Sequence, residues 1–367
     1  MFRHNSITIA ALTLTILSAS GLGSSDAHSI VVDRQVLLNT VDGGTQSITR
    51  LSDGGFAVAG AKGVGWVIST DSNGQLRWTY TETPDAHART PFQSNFRDAV
   101  PLANGKVLAC GSMTSPEQTG ILVILDRSGK LVERRLGFSK DKEKFPESGF
   151  IHCLRWNAGV AVIGWSGKDL AGSPRMAKLN AEGAIEWERP FIGLPTGDVV
   201  ETLDHTLVLS TFNSETFEAE LATVNLAGEV IAKKSIKGSN VLLLHPVDPA
   251  RTTKIVTYGT YTNISLHTLT ERLEETEKPI DLGSFDATKG RGLVVPDNSL
   301  VLFGRVSNPA IAWIGASGRP LSTLEFDQTY KSYSLQDAVP VSGIQFVAVQ
   351  DSVNQNHGLV MSWVTLK

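Results

Sequence analysis

The chain has 367 residues, with 33 Lys and Arg against 37 Asp and Glu, for a formal net charge of −4. An acidic balance without a basic run argues against nucleic acid as a partner, because phosphate-binding faces carry a basic excess. A hydrophobic share of 41% and a charged share of 19% exclude a disordered class and describe an ordinary globular chain.

The first residues have the pattern of an export signal. Arg3 supplies the positive charge, Ile7 to Leu17 is a short apolar stretch, and Ser25-Asp26-Ala27 offers a cleavage site among small residues. The stretch is too short to span a bilayer. The expected products are a signal peptide over residues 1–27 and one domain over residues 28–367. That domain is expected to be periplasmic or secreted, monomeric and without a membrane span.

Next comes a strand-like run, Ile30 to Leu38, and then a repeat. Seven short apolar segments begin at Phe56, Val107, Val160, Leu207, Ile255, Leu300 and Phe346. Their starts lie 51, 53, 47, 48, 45 and 46 residues apart, the period of a propeller array. In the first copy, Ser47 to Leu51 reads as strand a, Phe56 to Gly60 as b, Gly65 to Thr70 as c and Leu76 to Glu82 as d. Asp53-Gly54-Gly55 and Asp71 to Gly74 supply the turns, since Gly, Asn and Asp tolerate positive φ or bond their own backbone. The second turn recurs at Asp126 to Gly129, Asn180 to Gly183, Asn225 to Gly228 and Gly315 to Gly318. The fifth copy lacks its glycine near Leu273 and is expected to have a wider turn, and its a–b connection, Pro246 to Lys254, is longer than the rest.

At the C-terminal end, Leu359 to Leu366 supplies strand c of the seventh unit, and no strand d follows. Ile30 to Leu38 is therefore expected to pair beside it and complete that unit, which removes an open edge. The fold expected is all-β: a seven-bladed β-propeller with four strands per blade, closed by the N-terminal strand.

A glycine turn after an apolar strand, with an aromatic four residues beyond the glycine, stands at Trp66 to Trp78 and at Lys178 to Trp187. This pattern resembles the repeats of bacterial exported β-propellers, including the quinoprotein-like and WD40-like groups. Blades two, four and six depart from it, with Glu133, Ala232 and Ser322 at the aromatic position. The chain lacks the vicinal cysteine pair of quinone-dependent dehydrogenases, and no cofactor is expected.

The two cysteines, Cys110 and Cys153, fall in or next to repeated strands of neighbouring units. Either a disulfide or two buried thiols fits. The histidines show no metal-ligand spacing, so no metal site is expected. Propeller geometry puts the a–b and c–d connections on one face and the b–c and d–a connections on the other. The latter include 83–95, 112–119, 137–149, 165–176, 212–218 and 351–357, which are long. Loops on a rigid scaffold carry binding, so this face is the expected working face.

Counting back nine residues from each b strand gives a row of strand-a positions that includes Asp98, Asp198, Arg291 and Asp337. Such a ring could hold a cation or a polar ligand group. Alternatively, the aspartates hydrogen-bond the d–a loop backbone. His152 could face the same funnel, although a satisfied, partly buried histidine is the plainer reading. Trp165 opens a long polar loop and has the best claim to exposure among the tryptophans, most of which are expected to pack between blades. No catalytic motif stands out. A non-enzymatic binder of a protein or peptide is the leading expectation, with a funnel-mouth hydrolase or lyase and a carbohydrate-binding lectin as alternatives.

Overall fold

The computed structural model describes residues 28–39, 41, 44–83, 93–114, 118–138, 147–167, 173–191, 194–202, 204–213, 218–236, 240–246, 254–259, 263–270, 272–283, 292–305, 309–326, 335–352 and 358–367. The export signal and the a–b connection at 247–253 lie outside these residues. Apart from a single 3-10 turn at Ala103–Gly105, the regular structure among them is strand.

The N-terminal strand β1 (Ile30–Leu38) is followed by a four-strand meander, β2 (Thr45–Arg50), β3 (Phe56–Lys62), β4 (Val64–Thr70) and β5 (Leu76–Thr81). The second meander is β6 (Gln93–Pro101), β7 (Val107–Thr114), β8 (Gln118–Leu125) and β9 (Leu131–Leu136). The third is β10 (Ser148–Trp156), β11 (Gly159–Ser166), β12 (Ser173–Leu179) and β13 (Ile185–Pro190). The fourth is β14 (Leu194–Glu201), β15 (Leu207–Asn213), β16 (Glu218–Val224) and β17 (Val230–Ile236). Then come β18 (Asn240–Pro246), β19 (Lys254–Gly259), β20 (Asn263–Thr268) and β21 (Ile280–Gly283). They are followed by β22 (Gly292–Val294), β23 (Leu300–Arg305), β24 (Pro309–Ile314) and β25 (Pro320–Glu325). Last are β26 (Leu335–Ser342), β27 (Gln345–Ser352) and β28 (Gly358–Leu366).

Hydrogen bonding sorts these strands into six sheets, not seven. Five have four strands, and one has eight in the order β21-β20-β19-β18-β22-β23-β24-β25. The fusion is a short parallel pairing, Leu244 with Gly292, His245 with Leu293 and Pro246 with Val294. Antiparallel pairing of β18 with β19 covers Asn240 to Leu243, and the last three residues of β18 turn their hydrogen bonds to β22 instead.

Closure follows the expectation. β1 pairs antiparallel with β28 from Ile30–Leu366 to Leu38–Leu359, with a bulge at Asp33. The two chain ends also exchange backbone hydrogen bonds, Ser29 N to Lys367 O and Lys367 N to Ser29 O, both 2.8 Å.

Burial falls from the middle of each sheet to its outer strand. β3 and β4 are almost wholly buried, whereas β5 alternates between exposed and half-buried. Strands covered on both faces read as continuous apolar runs, and an outer strand does not. The core is accordingly a series of seams between facing sheets. One seam sets Ala57, Ala59 and Val67 of β3 and β4 against Phe96, Ala109 and Val123 of β6 to β8.

The second turn of each unit docks against the sheet before it. Its glycines adopt positive φ, 78° at Gly74, 80° at Gly129 and 80° at Gly228. A Cβ at Gly129 would stand 2.6 Å from the Trp78 ring, one at Gly228 2.6 Å from Trp187, and one at Gly74 2.5 Å from Trp363. Glycine there serves both the backbone conformation and the close approach of the neighbouring indole. The Trp78 indole also donates to Arg127 O across the junction, at 2.9 Å.

The connection from β20 to β21 is wider, as expected, running over 269–279 where β4 to β5 takes 71–75, but the turn within it is tight. Leu273 N donates to Thr270 O at 2.9 Å and Thr270 N to Glu274 O at 3.0 Å, the pattern of Gly74 N to Asp71 O and Asp71 N to Gln75 O. Thr270 Oγ1 accepts from Arg272 N and Glu274 N, as Asp71 Oδ1 accepts from Asn73 N and Gln75 N. The turn stays tight because Leu273 takes the left-handed conformation itself, at φ 61°. Its side chain is 3% exposed in a cluster with Val208, Leu221 and Leu243, against which Ala232 packs. Where the preceding sheet offers alanine in place of an indole, the turn fills the space with leucine.

Candidate functional site at the sheet seams

Asp98 lies in β6, opposite Cys110 of β7, just after a bulge between Phe96 and Asp98. The bulge turns its carboxylate toward the β10–β13 sheet. Oδ2 accepts from Cys153 N at 3.0 Å and sits 3.1 Å from His152 Nδ1. Asp337 of β26 repeats the arrangement, opposite Val349 after a bulge between Leu335 and Asp337. Its Oδ2 accepts from Ile48 N at 2.9 Å, and its Oδ1 from Ala338 N at 2.8 Å. Both carboxylates are buried. A charged acceptor on a buried N–H is among the stronger hydrogen bonds available to a protein. Each aspartate therefore clamps the innermost strand of the following sheet. Across the seam, the recipients of these two bonds are strand-a amides of the next sheet.

Arg291 lies outside the described residues, and the backbone of Asp198 is in β14 while its side chain is not described. His152 is a partly buried histidine with a carboxylate partner, its side chain 25% exposed. Trp165 corrects the expectation of exposure: it is 3% exposed. β11 continues through Ser166, so the residue that seemed to open a loop is still within a covered strand, opposite Gly149 and Pro174. A Cβ on Gly149 would stand 2.7 Å from its indole nitrogen, so glycine makes room for the ring.

Cys110 and Cys153 are joined as a disulfide across this seam, with a Cα–Cα distance of 6.2 Å. It links β7 to β10.

A second polar group was not foreseen from sequence. Glu82, just past β5, is buried; its Oε2 accepts from Tyr80 OH at 2.6 Å and its Oε1 lies 3.0 Å from Arg134 Nη2 of β9. Burial, and then the adjoining Glu82 carboxylate, raises the Tyr80 hydroxyl well above its ordinary pKa. The only sequence signal is Tyr-x-Glu at a strand end, which says nothing about an arginine more than fifty residues away.

Parts of the expected working face, residues 84–92, 115–117, 139–146, 168–172, 214–217 and 353–357, lie outside the described residues.

Solved structures with a similar course of chain include the WD40 domain of Neurospora crassa Pan2, at TM-score 0.59 and 10% identity, covering 92% of this chain and 96% of that one. A Dos1 propeller aligns at TM-score 0.55 and 8% identity, over 88% of this chain and 77% of its own. A protein of unknown function from Dyadobacter fermentans aligns at 0.51 and 12%, over 92% and 99%. The chain is a β-propeller. At these identities the likeness extends to the fold alone. No protein-family model and no curated protein matches the sequence. Among the described residues, no helix of the propeller is long and apolar enough to cross a membrane.

Proposed function

We propose that the chain is an exported seven-bladed propeller that binds a protein or peptide partner through the face carrying its b–c and d–a connections. The count of seven is supported by the eight-stranded sheet, which consists of two four-strand meanders joined, among the described residues, at β18 and β22. One observation carries the binding reading. The strand-start carboxylates Asp98 and Asp337 are committed to holding neighbouring sheets together, which leaves recognition to the connections on the rigid frame. A propeller is a common scaffold for protein partners, and the net charge of −4 favours a partner that is not nucleic acid.

The test is affinity capture from the exported fraction of the producing cell, using mature protein with the connection between β5 and β6 (83–92) or between β11 and β12 (167–172) shortened. A partner should be captured by the parent and lost or weakened in at least one variant, while a variant changed in the Asn225–Gly228 turn on the other face retains it. Undiminished capture by both shortened forms refutes the face.

One arrangement favours the funnel-mouth hydrolase as a second reading: His152 and Asp98 at 3.1 Å, with the ring partly open to solvent. A carboxylate-oriented imidazole is a general-base arrangement. A screen on esters, lactones and glycosides, repeated with His152→Ala, separates the two; activity that is unchanged in the variant removes this site.

A further inference from the structure

The seam between the β6–β9 and β10–β13 sheets has an internal counterpart in the seam where β26–β28 faces β2–β5. Asp98 and Asp337 occupy corresponding positions, and each accepts the N–H of one residue in the following sheet, Cys153 or Ile48. Opposite Asp98 stands Cys110; opposite Asp337 stands Val349. The pair Cys110 and Cys153 thus replaces the pair Val349 and Ile48, and all four residues are buried. Neither the clamp nor the packing requires sulfur. The cysteines bring chemistry that the corresponding seam does without.

The donor atoms of that chemistry converge. Cys110 Sγ, Cys153 Sγ and a carboxylate oxygen of Asp98 lie within 4.8 Å of one another. His152 Nδ1 adjoins the same carboxylate at 3.1 Å. We propose that reduction of the Cys110–Cys153 disulfide converts this seam into a site for a soft divalent cation of the zinc(II) class. The two thiolates and Asp98 ligate it, and His152 orients the carboxylate.

Thiolates select zinc and similar ions over hard cations, and three protein ligands leave one position open. An imidazole hydrogen-bonded to a ligating carboxylate is an orienting partner of the kind that tunes metal affinity. Burial disfavours two adjacent thiolates without a compensating charge, which the cation provides. The reductant is a dithiol. It delivers two electrons and two protons, the S–S bond breaks, two S–H groups form, and the dithiol becomes a disulfide. Metal entry then displaces the two thiol protons to solvent. The partly exposed His152 side chain marks the approach.

The experiment uses the whole mature protein, reduced with a dithiol, freed of reductant under anaerobic conditions, and titrated with cobalt(II) and then zinc(II). One equivalent of cobalt(II) should give a thiolate-to-cobalt charge-transfer band that zinc(II) abolishes. The disulfide-bonded protein should give none. The double variant Cys110→Val and Cys153→Ile copies the other seam, should fold by circular dichroism and should give no band. His152→Ala should keep the band with affinity reduced about 10-fold or more. The proposal is overturned by reduced, folded protein with two titratable thiols and no band, by a band that persists in the double variant, or by loss of fold on reduction that metal does not restore.

Discussion

Leu273 offers a direct test of how the sheets of this propeller are fitted together. It holds a left-handed backbone conformation, at φ 61°, in a turn whose counterparts use glycine. For a non-glycine residue that conformation costs about 1–2 kcal/mol. Its buried side chain offsets this, since truncating a buried leucine typically costs about 2–5 kcal/mol. Leu273→Gly relieves the strain and empties the socket, so the net loss should be about 2 kcal/mol. Ala232→Trp alone should also destabilise, by about 1–3 kcal/mol, because the indole meets a socket already filled. The double variant recreates the tryptophan-over-glycine pairing of Trp78 with Gly129 and Trp187 with Gly228. It should therefore be more stable than the sum of the single effects by at least about 1 kcal/mol. Urea unfolding followed by tryptophan fluorescence and far-ultraviolet dichroism measures each corner of the cycle. A neutral or stabilised Leu273→Gly, or strict additivity of the two changes, refutes the exchange of leucine for indole.

Four further outcomes follow from the seams and the closure. Tyr80 should be one of the five tyrosines that resists ionisation in the native protein at pH values where the others titrate, as read at 295 nm. Because its native pKa is raised, the stabilisation it contributes is complete below the unfolded value of about 10 and is lost as pH climbs toward the native one; a simultaneous titration of all tyrosines in folded protein contradicts this. Arg134→Leu strands the buried Glu82 carboxylate without its cation and should cost about 3–5 kcal/mol in urea unfolding, more than Glu82→Gln costs; the reverse order refutes the pairing. Asp337→Ala leaves Ile48 N and Ala338 N without their acceptor and should cost about 2–4 kcal/mol, with Asp337→Asn recovering part because its carbonyl oxygen still accepts; equal losses refute the clamp. Removal of residues 1–38 uncovers the full length of β28, and gel filtration should show association, whereas a monomer with unchanged melting speaks against the closure as a stabilising device.

Local pattern made the repeat readable. All seven apolar segments fall in strands, β3, β7, β11, β15, β19, β23 and β27, because strands covered on both faces must be apolar throughout. The closing strand was legible to its end residues, Ile30 and Leu38, as a strand-like run with no partner of its own among the four-strand units. What escaped depends on contacts between units. Leu273 looks like a lost turn because left-handed backbone is visible in sequence when glycine or asparagine adopts it, and leucine gives no such signal. Trp165 looks exposed because the strand's last covered residues border a polar segment. Asp98 and Asp337 were marked as special by position, but nothing local says that their hydrogen bonds run to Cys153 and Ile48 of another sheet. The pairing of β18 with β22 joins residues 244–246 to 292–294, which no period reveals.

The pairing of β1 with β28 also sets the order in which the ring can be completed. A chain delivered N-terminus first releases β1 before any other strand, yet its partner in the sheet is the last strand of this sequence, 327 residues away at the Gln35–Ser362 contact. Every intervening unit can stack on its predecessor as it emerges, since successive strands pair locally within each meander. The final seam cannot. Until β28 arrives, β1 waits with its pairing edge open, and the cost of closing so long a loop grows only logarithmically with its length. The last sheet is therefore completed only when β28 is in place beside β1.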